Sequence, residues 1–154
     1  MLLFHVLFIY NYREVCKGAC MDWNNFNELK ILLVDDDRLT RELGQTILEQ
    51  VPNITIHQAS NGKEALNMLE DITYDLILLD LYMPEMDGRE FATTFKKNTQ
   101  FNVLPVVLMT TDRLSLKELK ELDVEYYLTK PFNFQTFLSD IYGFLEKVKV
   151  LNET

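Results

Sequence analysis

The chain has 154 residues, 24 Asp and Glu against 15 Lys and Arg, a formal net charge of −9, and 47% hydrophobic residues. That is enough apolar chain for one domain to bury a core without disulfides or metal staples, and too much for a disordered segment. The acidic surplus argues against a nucleic-acid partner, because neutralising phosphates takes an excess of Lys and Arg.

The opening run Met1 to Tyr10 (MLLFHVLFIY) is apolar, yet it lacks a basic lead and a good small-residue cleavage site and is too short to span a bilayer. Cys16 and Cys20 form a CxxxC spacing that fits neither a zinc site nor a redox CxxC motif. Two readings of residues 1–28 stand side by side. One is an N-terminal extension, disordered or touching a membrane; the other is a mis-assigned start, with Met21 the true one.

From residue 29 strand-like and helix-like segments alternate. Leu29 to Val34 (LKILLV) reads as a buried strand that stops at Asp35-Asp36-Asp37. Leu39, Leu43 and Ile47 recur at four-residue spacing on a helix that Pro52 and Asn53 terminate. Ile54 to His57 makes a second strand. Asn61 and Glu64 resemble a capping box ahead of Ala65, Leu66, Leu69 and Ile72 at helical spacing. Tyr74 to Leu79 (YDLILL) is the most apolar strand and stops at Asp80. A loop from Leu81 to Gly88 leads into a helix that buries Phe91, Ala92 and Phe95. Val103 to Thr110 is the fourth strand, a short helix surrounds Leu116, Leu119 and Leu122, and Val124 to Leu128 is the fifth strand. Lys130-Pro131-Phe132 precedes a long final helix from about Asn133 to Val148, with residues 149–154 as a tail.

Five strand-then-helix units predict an α/β fold, a doubly wound five-stranded parallel sheet flanked by five helices. The strand C-termini then share one edge, where such sheets place their sites. Asp35 and Asp36 follow the first strand, Asp80 ends the third, Thr110 ends the fourth and Lys130 lies just past the fifth. Three crowded carboxylates repel one another, and one lysine supplies a single positive charge. A hard divalent cation with oxygen ligands meets the remainder, which points to magnesium and a site that handles phosphate. Asp80 is the candidate nucleophile, forming an acyl phosphate, with Lys130 and Thr110 neutralising and positioning the transferred group.

At this point the residues resemble a known family, the receiver domains of two-component response regulators, including chemotaxis-type single-domain regulators. The matching strings are ILLVDDD at 31–37, ASNGKEAL at 59–66, YDLILLDLYMPEMDG at 74–88, LPVVLMTT at 104–111 and YLTKPF at 127–132. The resemblance covers residues 29–148, and it is the ordered set that is specific. It implies a flavodoxin-like strand order 2-1-3-4-5. It implies that Asp80 accepts a phosphoryl group from a histidine on a sensor kinase or histidine phosphotransfer protein. Asp36 would bind magnesium directly, Asp35 largely through water, and the Tyr82 backbone carbonyl would be a further ligand beside Asp80. Thr110 would hydrogen-bond the phosphoryl group and Lys130 would pair with its oxygen. Tyr127 matches the family's aromatic switch, and the Lys130-Pro131 bond its cis peptide, a form cheap only before proline.

Other residues read more plainly. Asp37 is best taken as a helix cap, and His5 and His57 as ordinary surface or core side chains. This chain departs from the family at Thr111, where a small residue is usual, at Tyr82, whose ring would screen the phosphoryl group, and at Asp123-Val124, which replaces a Gly-Ala. The stretch between Thr110 and Lys130 is also short, which predicts a short fourth helix.

The last helix carries two apolar stripes, Phe137, Ile141, Phe144 and Val148, and Phe134, Leu138, Tyr142 and Leu145. The first packs on the sheet. The second is either a wide core or a docking face for a partner or a second copy, a homodimer through this helix; on the docking reading, polar residues at Leu138 and Tyr142 would weaken association and spare the fold. With the chain ending at Thr154, the expected protein is a stand-alone, cytoplasmic receiver that signals to a downstream protein by contact and catalyses only its own phosphotransfer. Two alternatives remain. One is a receiver-fold binding module that works without phosphorylation. The other is a magnesium-dependent phosphohydrolase, disfavoured because the usual second Asp two residues past the nucleophile is here Tyr82.

Overall fold

The computed structural model describes residues 21–101, 103–124 and 126–152. The apolar opening run, His5 and both cysteines lie outside them. Five parallel strands, β1 (Leu29–Val34), β2 (Ile54–Ala59), β3 (Leu76–Asp80), β4 (Val106–Thr110) and β5 (Tyr126–Thr129), alternate with α1 (Arg38–Leu48), α2 (Gly62–Asp71), α3 (Gly88–Lys97), α4 (Leu116–Glu121) and α5 (Phe134–Asn152). The strand order is β2-β1-β3-β4-β5, as expected for this doubly wound arrangement.

Successive strand residues point to opposite faces, and both faces are dry. Ile31, Leu33, Leu76, Leu78, Val107 and Met109 pack with Ile47, Leu48, Phe137, Ile141 and Phe144 of α1 and α5. Leu32, Val34, Ile77, Leu79, Val106 and Leu108 face Ala65, Leu69, Phe91, Phe95 and Leu119 of α2, α3 and α4. Every residue of β3 is buried. Each fully buried Leu or Ile contributes about 1.5–3 kcal/mol of transfer free energy, so the central strands anchor whatever they carry at their ends.

Helix starts follow local chemistry. Asp37 caps α1, its carboxylate accepting from the amides of Leu39 and Thr40. Asn61 caps α2 by accepting from the Glu64 amide at 2.9 Å. The reciprocal half of the expected box shifts by one residue, because the Glu64 carboxylate accepts instead from the Ser60 amide and hydroxyl, each at 2.7 Å. Ser115 and Glu118 form a complete capping box on α4, which is short, as predicted, at six residues. Asp123 follows with φ 51°, taking the left-handed conformation that a glycine would adopt without strain.

The structure corrects several sequence expectations. Of the residues that recur at helical spacing on α1, Leu39 and Leu43 are 72% and 46% exposed and only Ile47 is buried; Gly44, Ile47 and Leu48 form the buried face. The fourth strand begins at Val106, not Val103, which is 86% exposed. Pro105 ahead of it has no N–H to give to a ladder, though its carbonyl accepts from Ile77. The fifth strand starts at Tyr126, because Val124 still bonds back to Leu119.

The second stripe of α5 is core at Tyr142 and Leu145, and the Phe134 side chain lies outside what the structure describes. Tyr142 and Leu145 are 8% and 4% exposed and Leu138 is half-buried. What covers Tyr142 is the segment before β1: a 3-10 turn at Trp23–Asn25 sets the Trp23 ring 5.0 Å from Tyr142, edge-on, with Phe26 at 5.6 Å. Packing therefore continues upstream of residue 29. Replacing Tyr142 with a polar residue would injure this core rather than spare the fold. Among the described residues no helix is long and apolar enough to cross a membrane.

Candidate functional site

β1 and β3 lie side by side, and the chain leaves β1 for α1 on one face and β3 for α3 on the other, which opens a crevice at their C-terminal ends. The register pairs Val34 with Leu79, which sets Asp35 level with Asp80 one residue on. Thr110 pairs with Thr129 across β4 and β5, and the Lys130 amide donates to the Thr110 carbonyl at 2.8 Å. Buried ladders thus converge the ends of four strands, and the Lys130-Pro131 peptide is cis.

Asp35 is fully buried, Asp80 is 5% exposed and Thr110 is fully buried. A buried carboxylate needs a counter-charge and hydrogen bonds. The Lys130 ammonium donates to Asp35 Oδ2 at 2.5 Å and lies 3.1 Å from Asp80 Oδ1. The Asp37 amide donates to Asp35 Oδ1 at 2.9 Å, and the Tyr82 amide reaches Asp80 Oδ1 at 3.4 Å. Burial pushes the Asp80 carboxyl above the usual carboxylate range; Lys130 opposes this and the Asp35 charge adds to it.

Asp35, Asp36 and Asp80 each offer a carboxylate oxygen, and these oxygens lie within 4.8 Å of one another, Asp36 being exposed to solvent. Three carboxylates facing one ammonium leave a surplus of negative charge on hard oxygen donors, with one side open to water. That donor set fits a divalent cation of the magnesium type.

Of the remaining expected residues, Tyr127 is half-buried on the α2–α4 face, two residues from Thr129 on the strand beside Leu108 and Thr110. The Tyr82 ring is 49% exposed, and its hydroxyl donates to Asp112 Oδ2 at 2.8 Å. The Asp112 amide donates in turn to Thr110 Oγ1 at 3.1 Å, so the loops after β3 and β4 are tied together beside the site. Thr111 is exposed. His57 is half-buried, with Nδ1 2.8 Å from the Tyr74 hydroxyl, outside the site.

Three contributors were not singled out in the sequence. Asp112 and Arg41 belong to no local motif, and only their folded positions bring them in. Gly88 had a readable signal, as the last residue of the MDG string. A Cβ there would lie 2.4 Å from the Asp80 carbonyl and 2.8 Å from the Leu81 Cα. Only a glycine lets the start of α3 press against the end of β3.

Residues 31–142 match the response regulator receiver domain family. The chain belongs to that family. Its receiver fold superposes on the chemotaxis response regulator CheY4 of Vibrio cholerae with a TM-score of 0.69 at 29% identity, covering 79% of this chain and 99% of that one. The receiver domain of a signal transduction histidine kinase from Syntrophus aciditrophicus gives the same TM-score at 28% identity, covering 79% and 92% of the two chains. In sequence, the receiver is 37% identical to the transcriptional regulatory protein SrrA of Staphylococcus aureus, over 68% of this chain and 42% of that protein. It is 35% identical to the protein-glutamate methylesterase/protein-glutamine glutaminase of Treponema pallidum, over 73% of this chain and 28% of that protein. The chain thus spans well under two thirds of the length of these curated relatives.

Proposed function

We propose that this receiver is a phospho-acceptor. Asp80 takes a phosphoryl group from a phosphohistidine on a sensor kinase or phosphotransfer protein, and the modified domain presents a changed surface to a downstream protein. The observation that carries this reading is the buried Asp80 carboxylate, facing Asp35, Asp36 and the Lys130 ammonium at the sheet's switch point.

The Asp80 contacts with Lys130 and the Tyr82 amide both fall on Oδ1, so we assign attack to Oδ2. A bond forms from that oxygen to phosphorus as the bond from phosphorus to the donor imidazole nitrogen breaks, its electron pair returning to the ring. Charge in this loose transition state spreads over the phosphoryl oxygens. Lys130 moves its attraction from Asp80 toward one of these oxygens, and the Thr110 hydroxyl turns to donate to another. Asp35, Asp36, Asp80 and the Tyr82 carbonyl would hold magnesium, which neutralises charge on the transferring group when bound. Rotation of Thr110 vacates space that Tyr127, on the same face, fills by turning inward, and the α4 side of the domain changes shape.

Incubation with magnesium and acetyl phosphate, followed by intact mass, tests the reading. The expected result is one added phosphoryl group, absent in Asp80→Asn and absent when EDTA replaces magnesium. An unmodified wild type under these conditions would overturn it.

A further inference from the structure

The acidic turn between β1 and α1 places Asp35 and Asp36 in succession, and their carboxylates meet Asp80 only if the turn keeps one backbone conformation. The carbonyls of that turn need donors of their own. One side chain supplies them. Arg41, in the second turn of α1 and half-buried, donates from Nη1 to the Asp35 carbonyl at 2.6 Å and to the Asp36 carbonyl at 3.1 Å. Its Nε donates to Gln58 Oε1 of β2 at 3.2 Å. Gln58 is held by Gln45, and Gln45 by Glu49 at 2.5 Å, so the guanidinium is braced from behind by a polar chain running along α1.

We propose that Arg41 is a positioning residue for the cation site, fixing the turn so that Asp35 and Asp36 present their carboxylates together. Lys130 occupies a carboxylate oxygen of Asp35, whereas the Arg41 contacts are with carbonyls and leave the carboxylates for the ion. The planar guanidinium joins the two carbonyls, through Nη1, to Gln58, through Nε, a span that a single ammonium nitrogen does not bridge. The inference rests on the phospho-acceptor reading and concerns the same site.

Charge and positioning predict opposite signs. As a neighbouring positive charge alone, Arg41 would repel a divalent cation, so Arg41→Gln would bind it more tightly and Arg41→Lys would change nothing. As a positioning residue its loss loosens the donor set, and supporting residues behind metal ligands cost roughly tenfold or more in affinity when removed. Magnesium titration by calorimetry on the full chain decides. The expected result is a Kd raised about tenfold in both Arg41→Lys and Arg41→Gln, with a smaller rise in Gln58→Ala, which removes only the brace. In acetyl phosphate reactions the magnesium concentration for half-maximal rate should rise in parallel, while the rate at saturating magnesium stays near wild type. Melting in EDTA identifies folded variants, and Gln58→Ala carries the test should Arg41 variants not fold. A folded Arg41→Lys or Gln58→Ala with wild-type magnesium affinity, a tighter-binding Arg41→Gln, or a loss of saturated rate at unchanged Kd would overturn the role of Arg41. A wild type that takes up no magnesium would overturn the underlying reading as well.

Discussion

Asp80 gives up most of its hydration to stand beside Asp35 and Lys130, and its carboxyl is pushed upward chiefly by that burial. A carboxyl whose folded pKa exceeds its unfolded value adds most to stability when protonated, below the unfolded pKa, and that contribution is lost as pH rises through the folded pKa. Each unit of displacement is worth about 1.4 kcal/mol. Asp80→Asn in EDTA should therefore melt at a higher temperature than wild type at pH 7, and the advantage should shrink as pH falls through the raised pKa; equal melting at both ends of the range would refute this. Tyr82 lies two residues further on, its hydroxyl pinned to Asp112. Tyr82→Ala removes both the ring and the tie, and should shorten the lifetime of the phosphoryl group severalfold in a mass time course, with less than about 1 kcal/mol change in stability for so exposed a contact.

At the scale of elements, the site depends on how closely helices approach strand ends. Gly88 opens α3 against the backbone of Asp80 and Leu81, and that neighbour is main chain, which cannot swing aside. Gly88→Ala should cost about 3 kcal/mol by overpacking and displace the β3 end, so chemical denaturation and acetyl phosphate labelling should fail together. Gly62→Ala is the contrast. Its added Cβ meets the Met86 side chain at 2.8 Å and the main chain only at 3.1 Å, the Met86 carbonyl, against 2.4 Å at Gly88, so the smaller loss there should leave labelling intact. Asp123, at φ 51° where the family carries glycine, turns the chain from the six-residue α4 into β5. A short helix and a left-handed turn thus sit on the α2–α4 side of the sheet, where the proposed switch of Thr110 and Tyr127 would be felt.

For the molecule as a whole, the packing unit exceeds the receiver pattern. Trp23 and Phe26 lie upstream of β1, yet both join the α1 and α5 core, and Lys149 donates to the Asn25 carbonyl at 2.9 Å while lying 5.9 Å from the Phe26 ring centre. Trp23→Ala should therefore destabilise by about 3 kcal/mol in urea denaturation, although no receiver motif includes that residue. The loss should be accompanied by self-association in light scattering, because Tyr142 and Leu145 are then uncovered.

The alternation of apolar strands with helical stripes, and the acidic, Thr and Lys residues that end those strands, were legible in the sequence because period and punctuation are local properties. The shared sheet edge followed from them through the handedness of crossovers, whereas the strand order came only with the family resemblance. Side-chain partners were not legible in the same way. The exposure of Leu39 and Leu43 depends on which face of α1 the α5 helix covers, and the burial of Tyr142 depends on a segment more than a hundred residues away. The Arg41 contacts with the acidic turn and the Tyr82 tie to Asp112 pair groups whose spacing carries no periodic signal. Local sequence sets what each element can bury; only the folded chain decides which surfaces meet, because burial and hydrogen bonding are settled between elements and not within them.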